Sequence, residues 1–322
     1  MIRAIKDIIK QDLIETYCDF FVRKQLIEKK KLQIFEFLAK KYNEIVENFY
    51  QTKSLDASNE KNSIGYDWGT WTGKIRKEFL HSLPINFLSN PLIAFTMVHQ
   101  RMKGSKNTLS KIKLLSTIFD EETLHNLLKE DFIGKPVISN QKYLTSSNRT
   151  HHAMHLGFYK RNTGEPFWNS KSIIEFGGGY GNMARLIKKM NSDITYTIID
   201  LPELLAIQYI YIGSLFSEDC INIVNVENPK IVKGKINLVT SDFVIDGSVN
   251  LTAESFISTW AITECPEFLQ KFVLENNLFS AEKILLASFI DQNNYMSKNI
   301  DLISYKVENI PFLNGNHQYW IK

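Results

Sequence analysis

An acidic residue followed by closely spaced glycines stands in the middle of the chain. Residues 172–176 form a short apolar run that contains Glu175. The glycines that follow are Gly177, Gly178, Gly179 and Gly181. The apolar run predicts a buried parallel strand, and apolar residues recur at helical spacing after residue 182. A strand, a glycine turn and a helix N-terminus in this order form a site where backbone N–H groups can approach a nucleotide.

A second acid stands where the ribose of such a nucleotide would lie. Residues 195–199 are a β-type run, and Asp200 ends it, 19 residues after Gly181. In Rossmann-like folds an acid at the end of the second strand accepts hydrogen bonds from ribose hydroxyls. Leu201 follows, and Pro202 suits the first turn of a helix, so the alternative is that Asp200 only caps that helix. We expect Asp200 and Leu201 to contact the ligand.

The glycine spacing distinguishes between two kinds of nucleotide. The dinucleotide fingerprint requires glycine at relative positions one, three and six, and the sixth position counted from Gly177 is Asn182. The pattern that fits is acid-x-Gly-x-Gly-x-Gly, from Glu175 to Gly181. It resembles the first motif of the Rossmann-like S-adenosylmethionine (SAM) methyltransferases, which implies SAM as the cofactor. The residues that this resemblance assigns to cofactor binding here are Glu175, Gly177, Gly178, Gly179 and Gly181. An NAD-dependent oxidoreductase is the alternative for the same turn.

The resemblance to a methyltransferase core extends over residues 171–322. Asp242 and Phe243 follow the third predicted strand, where an acid and an aromatic ring contact the adenine in SAM methyltransferases; a strand-end turn is the alternative. Ser258 lies at the end of the fourth strand and is assigned to the cofactor side. The resemblance implies an α/β fold with a Rossmann-like sheet of seven strands and helices on both faces. Two β-type runs near the end of the chain predict its antiparallel pair.

A narrower resemblance, over residues 145–322, is to bacterial sugar O-methyltransferases. It depends on the segments 175–186, 258–266 and 315–318. It implies that the acceptor is a hydroxyl group of a nucleotide-linked sugar or of a surface glycan, with a role in polysaccharide biosynthesis. A non-catalytic SAM-binding subunit of a partner enzyme is a further alternative.

A neutral sugar hydroxyl is a poor nucleophile, so a general base should assist the reaction. Plant-type O-methyltransferases place a catalytic histidine in a His-Asp-Trp triplet, but residues 258–260 are Ser-Thr-Trp here. The base must therefore come from elsewhere, and we predict His151, His152 or Glu264, with His317 as a further candidate.

The histidine segment also raises the question of a metal. His151 and His155 are four residues apart, so they share one face of a helix. Two such histidines bind zinc only when a third ligand joins them. No third ligand is evident in the sequence, and we expect no metal site.

Composition limits the remaining function classes. The chain has 322 residues with 38 basic and 35 acidic side chains, a net charge of +3. This balance gives no electrostatic footprint for nucleic acid. No apolar stretch is long enough to span a membrane, and no signal peptide is evident. The spacing of the three cysteines matches no metal site or disulfide framework, which indicates free thiols. We expect a cytoplasmic, bacterial enzyme.

The chain is predicted to have two parts. Residues 1–145 read as a mostly helical region that covers the substrate side or makes a homodimer, with a polar, glycine-bearing loop at 51–73. Residues 146–322 are predicted to be the SAM-dependent methyltransferase domain.

Overall fold

The computed structural model describes residues 28–50, 64–98, 104–290, 294–313 and 315–322. Part of the predicted helical region, residues 1–27 and 51–63, lies outside this set. The fold is α/β, with a mostly parallel sheet, helices on both of its faces and a helical N-terminal region. The predicted fold class is therefore confirmed.

The described residues form a central sheet of eight strands and a separate two-stranded ribbon. The ribbon contains β1 (Ile138–Asn140) and β2 (Thr145–Ser146). The strands of the central sheet are β3 (Ser172–Phe176), β4 (Thr195–Asp200), β5 (Ile221–Val224), β6 (Ile236–Thr240), β7 (Ser255–Thr259), β8 (Lys283–Phe289), β9 (Lys306–Asn309) and β10 (His317–Ile321). They lie side by side in the order β5-β6-β4-β3-β7-β8-β10-β9. The first six are parallel, and β10 pairs antiparallel with both β8 and β9. The predicted antiparallel end of the sheet is confirmed.

The prediction of seven strands is wrong by one. The additional strand is β5, which pairs parallel with β6 at the edge of the sheet. Asn222 on β5 donates from its amide to Lys230 O (2.8 Å) and to Asn237 Oδ1 (2.9 Å), so side-chain bonds hold this short strand in place. Four residues followed by polar turn residues give too short a pattern to be distinguished from a loop.

Helices cover both faces of the sheet. On the N-terminal side they are α1 (Lys29–Ala39), α2 (Tyr42–Phe49), α3 (Ile64–Glu78), α4 (Pro91–Met97), α5 (Gly104–Leu115) and α6 (Glu121–Leu128). The later helices are α7 (Ser147–Thr163), α8 (Asn182–Met190), α9 (Pro202–Phe216), α10 (Ser241–Ile245), α11 (Ala261–Glu264), α12 (Glu267–Glu275) and α13 (Tyr295–Asn299). Of the helices in the described ranges, none combines the length and apolar character needed to cross a membrane.

Two hydrophobic clusters lie on opposite faces of the sheet, because successive side chains of a strand point to opposite faces. Ile173 belongs to the first cluster and its neighbour Ile174 to the second. The first cluster also contains core residues of α1 to α9, so the N-terminal helices pack on one face of the sheet. The second contains residues of α10 to α13.

A buried ionic cluster also joins the N-terminal helical region to the sheet domain. Arg149 on α7 contacts Glu130 at 2.8 Å, and Arg185 Nε on α8 donates to Asp131 Oδ2 at 2.6 Å. Both arginines are fully buried. These charges compensate each other away from water, so the two predicted parts of the chain share a buried interface.

The loop predicted for residues 51–73 is wrong over its second half, because α3 begins at Ile64. Thr72, Ile75 and Phe79 are buried at helical spacing, while Gly69 and Gly73 face open space. Packing of this face outweighs the low helix propensity of glycine.

Candidate functional site

A cavity of about 510 Å³ opens at the carboxyl ends of the parallel strands. Its floor is formed by the ends of β3, β4 and β7 and by the segment after β6, the place where open α/β sheets bind ligands. From the N-terminal helices, the residues that line it include Trp68, Thr72, Phe95, Thr96, Met97 and Val98. Residues of both predicted parts of the chain therefore surround one space.

The glycine turn after β3 approaches its neighbours too closely for a side chain at two positions. Gly177 has φ +78°, and a Cβ there would lie 2.0 Å from Cβ of Ala261. A Cβ on Gly178 would lie 2.6 Å from Cγ2 of Ile198. Gly179 differs, because with φ +56° it faces the cavity and its nearest neighbour, Met97, would be 3.9 Å away. The turn is thus packed on the protein side and open on the cavity side.

The carboxylate of Asp200 binds the backbone of this turn. Oδ2 accepts hydrogen bonds from Gly178 N (2.8 Å) and from Nε2 of Gln208 (2.7 Å), and Oδ1 accepts from Leu201 N (2.8 Å). The N–H of Gly179 also contributes. Burial raises the pKa of Asp200 to about 6, although these donors act to lower it. The side chain is 8% exposed and lines the cavity.

Glu175 is the second carboxyl group at this edge of the cavity. Its Oε2 accepts a hydrogen bond from the Tyr196 hydroxyl at 2.9 Å. The pKa of Glu175 is raised to about 8, chiefly by burial and also by the charge of Asp200, while the hydrogen bond from the Tyr196 hydroxyl acts to lower it. Two adjacent carboxyl groups in a low-dielectric environment favour a ligand that brings positive charge or hydroxyl donors.

The other residues assigned to the cofactor divide into two groups. Leu201 and Asp242 line the cavity. Gly181, with φ +91°, precedes α8 beneath the turn, and Phe243 is 2% exposed within the second hydrophobic cluster. Neither of these last two is among the lining residues of the cavity. Their assignment to cofactor binding stays a prediction.

Ser258 links the ends of two elements instead of facing the cavity. Its hydroxyl donates to Phe176 O at 2.9 Å and accepts from Ile262 N at 3.2 Å. It therefore ties the end of β3 to the start of α11, and it positions the turn indirectly.

The predicted histidine segment lies on α7, and His151 and His152 both line the cavity. His151 stacks on Trp260, with ring centroids 5.4 Å apart and planes inclined by 25°. Its Nδ1 lies 3.1 Å from Nζ of Lys111. His155 is 4.5 Å from His151 between ring centroids, as the four-residue spacing predicts, and its Nδ1 pairs with the Tyr319 hydroxyl at 2.7 Å.

Two further histidine nitrogens have identified partners. Nδ1 of His152 accepts from the Asn182 amide at 2.9 Å, and Nδ1 of His317 accepts from Nε1 of Trp260 at 3.1 Å. In a neutral imidazole one nitrogen carries the proton and the other accepts. These bonds therefore place the proton of both rings on Nε2, which makes Nε2 a donor.

Glu264, the acidic candidate, also lines the cavity and is half-buried. Burial raises its pKa, and a hydrogen bond from Trp68 acts in the opposite direction. A carboxylate that is desolvated but still faces the cavity can accept a proton more readily than one in water.

The described ranges contain no group of three or more His, Cys, Asp or Glu side chains arranged to hold a metal ion. Cys220 and Cys265 are free thiols, and Cys18 lies outside the described residues.

Sequence reasoning missed two residues of the site, Lys111 and Gln208. They contact residues 40 and 8 positions away. Gln208 stands eight residues after Asp200 on one face of a predicted helix, so its spacing carried a signal; the sequence gives none for Lys111.

No protein-family model matches the sequence, and no curated protein matches it significantly. Solved structures with a distant likeness include the pyocyanin biosynthetic protein PhzM (TM-score 0.35, 14% identity, covering 54% of this chain and 56% of PhzM). A second is the glycopeptide N-methyltransferase MtfA, with a TM-score of 0.31 and 14% identity, over 44% of this chain and 55% of MtfA. A third is PigF in a structure with SAH, with a TM-score of 0.36 and 11% identity, over 97% of this chain and 98% of PigF. The matched part of the chain spans about half the length of PhzM and of MtfA. At these TM-scores the likeness does not identify a function.

Proposed function

We propose that this chain is a SAM-dependent methyltransferase that transfers a methyl group to a hydroxyl of a sugar. The observation that carries the proposal is the pairing of Asp200 with the N–H groups of the glycine turn, at the edge of a cavity that the candidate bases also line. The cofactor would lie over Gly179 and the acceptor beside His151 and Glu264.

The bonds of Asp200 favour a sulfonium nucleoside over a dinucleotide. In dinucleotide-binding folds the N–H groups of the glycine turn and the helix N-terminus receive a pyrophosphate. Here Gly178 N already donates to Asp200, at 2.8 Å. A pyrophosphate would compete for these donors and would be repelled by Asp200 and by Glu175 when it is ionised. A ribose diol and a cation suffer neither penalty.

The residues present fit SAM in three respects. Gly179 leaves open space above the turn. The two carboxylate oxygens of Asp200 accept hydrogen bonds from Gly178 N, Leu201 N and Gln208 Nε2. Ribose hydroxyls could donate to the side of this carboxylate that lines the cavity. Leu201 and Asp242 lie on the same side of the cavity. When bound, SAM supplies an activated methyl group with a neutral thioether as leaving group.

The protein would mainly position the acceptor oxygen in line with the methyl group. Trp68, Phe268 and Trp260 give the acceptor side aromatic walls, and histidines and Glu264 lie among them. Aromatic faces pack on the C–H faces of a sugar ring, and polar groups bind its hydroxyls. This combination supports a sugar acceptor. We further propose that residues 1–145 cover the acceptor side, because Trp68, Phe95 and Met97 reach the cavity.

Methyl transfer to a panel of acceptors tests the proposal. The purified chain is incubated with SAM and either nucleotide sugars or simple phenols, and SAH formation and a 14-dalton mass increase are measured by mass spectrometry. Methylation of a nucleotide sugar is the expected result. Methylation of phenols alone would contradict the sugar assignment but not the cofactor. SAM binding without turnover on any acceptor would favour a non-catalytic subunit, and binding of NADH but not SAM would favour an oxidoreductase.

A further inference from the structure

We propose that Lys111 is a positioning residue that holds His151 in the tautomer of a general base and then takes up the proton that His151 receives. The inference rests on the proposed function, because it concerns deprotonation of the methyl acceptor. It assigns the base to His151 among the four candidates and gives it a partner from outside the methyltransferase domain predicted at residues 146–322.

Lys111 is buried in an unusual setting for a lysine. It lies on α5, has no exposed surface, and places Nζ 3.1 Å from Nδ1 of His151. The elements that pack most closely on α5 are α7 and β1, and none of the three contains an acidic residue. Of the titratable groups on α7, His151 contacts Lys111, and His155 lies next to His151, with ring centroids 4.5 Å apart.

An ammonium group is costly to bury without a carboxylate, so burial shifts the protonation equilibrium of the lysine towards the neutral amine. Burial lowers the pKa of Lys111 to about 8. A neutral amine has a lone pair and can accept a hydrogen bond, which an ammonium cannot. Lys111 can therefore accept the Nδ1–H of His151, and this bond leaves Nε2 of His151 unprotonated.

The other cavity histidines are held in the opposite tautomer. Nδ1 of His152 accepts from Asn182, and Nδ1 of His317 accepts from Trp260, so both rings carry their proton on Nε2. These two rings are suited to donate hydrogen bonds to acceptor oxygens. His151 instead pairs at Nδ1 with an amine, and the protonation state of that amine sets the direction of the hydrogen bond.

The proton and charge balance of the step is complete. The acceptor O–H gives its proton to Nε2 of His151, while the Nδ1 proton of His151 passes to Nζ of Lys111. The oxygen lone pair forms the new C–O bond as the methyl–sulfur bond breaks, and that electron pair remains on sulfur. One positive charge disappears from the sulfonium and one appears on Lys111, so the buried site keeps its net charge. After the products leave, Lys111 returns the proton to His151, which lines the cavity and passes a proton to solvent there.

Three variants separate this role from a structural one. Lys111→Met removes the amine and should lower kcat about 100-fold, with the acceptor KM and SAM affinity within about twofold of wild type. Lys111→Arg supplies a permanent cation that can only donate to Nδ1, and should be less active than Lys111→Met. Lys113→Met, an exposed neighbour on the same helix, is the control and should match wild type.

The pH dependence gives a second readout. Since the active form has neutral Lys111, wild-type kcat should rise with pH through about 8, and this rise should be absent in Lys111→Met. An arginine variant as active as wild type, or a rise that persists in Lys111→Met, would overturn the proposal.

Tautomer measurement keeps the test independent of turnover and of the variants' folding. In the ¹⁵N-histidine-labelled wild-type protein at pH 9, long-range ¹H–¹⁵N spectra should show Nδ1 of His151 protonated and Nε2 bare, with the signal assigned by its loss in His151→Gln. A proton on Nε2 instead refutes the role of Lys111. Failure of the proposed function would appear separately, as no SAM binding or no transfer while the His151 signal is as expected.

Discussion

Replacing Glu175 by glutamine should change how the stability of the protein depends on pH. Glu175 is 2% exposed, and burial with the nearby charge of Asp200 raises its pKa from 4.5 to about 8. A carboxyl group whose folded-state pKa exceeds its unfolded value stabilises the fold below the unfolded pKa and loses that contribution as pH rises through the folded pKa. Wild-type stability should therefore decline between about pH 4.5 and 8.

The size of this decline follows from the shift. One pKa unit corresponds to about 1.4 kcal/mol, so the change from 4.5 to about 8 corresponds to about 5 kcal/mol of unfolding free energy. Glu175→Gln has no charge to bury, and its side-chain oxygen can still accept the Tyr196 hydrogen bond. Because the two pKa values lie at the ends of this pH range, the variant should gain about 4 kcal/mol of this total relative to wild type on going from pH 4.5 to pH 8.

Urea unfolding at half-unit steps from pH 4.5 to 8, followed by circular dichroism, measures this difference. Glu254→Gln is the matched control, because Glu254 is partly exposed and a hydrogen bond from Lys171 N, followed by one from Lys283, lowers its pKa. The Glu254→Gln variant should show no gain in unfolding free energy relative to wild type as the pH rises to 8. Parallel curves of unfolding free energy against pH for wild type and Glu175→Gln would refute the description of Glu175 as a buried, protonated carboxyl group.

Two further substitutions test the turn and the buried ionic cluster. Gly177→Ala should destabilise the protein more than Gly164→Ala. Both glycines have positive φ, so a side chain costs about 1–2 kcal/mol at either position, but only at position 177 would it also meet Ala261, which adds about 1–3 kcal/mol. Equal urea midpoints of the two variants would contradict the close approach of Gly177 to Ala261. Asp131→Asn leaves two buried guanidinium groups undercompensated and should cost about 3–5 kcal/mol in the same assay; a loss below 1 kcal/mol would show that solvent reaches the cluster.

The sequence was sufficient for features that depend on neighbouring residues. The strand, the glycine turn and Asp200 follow one another within 30 residues, and their types alone predict their places at one edge of the sheet. The caps of α4 and α6 also depend on neighbouring residues: Asn90 accepts from Leu92 N, and Asp120 accepts from Thr123 N.

Features that depend on tertiary packing were missed. Helix α3 forms despite its glycines because one face is buried, and no local propensity predicts that. The burial of Phe243 in the second hydrophobic cluster, next to a helix start at Ser241, was likewise not evident from its place beside Asp242 in the sequence. Lys111 looks like any lysine of an amphipathic helix, and only its contact with α7 makes it part of the site.

Isothermal titration of SAM into wild type and Asp200→Ala tests the central claim most directly. Hydrogen bonds to a charged group contribute about 1.5–3 kcal/mol, so removal of the carboxylate should weaken SAM binding about 10- to 100-fold. The control Asp246→Ala, an exposed acid after α10, should bind as wild type does, and circular dichroism verifies that all three are folded. One SAM bound per wild-type chain with that loss in Asp200→Ala is the expected result. No SAM binding to wild type, or equal affinity in folded Asp200→Ala, would contradict the claim that a sulfonium nucleoside lies over the glycine turn with its ribose on Asp200.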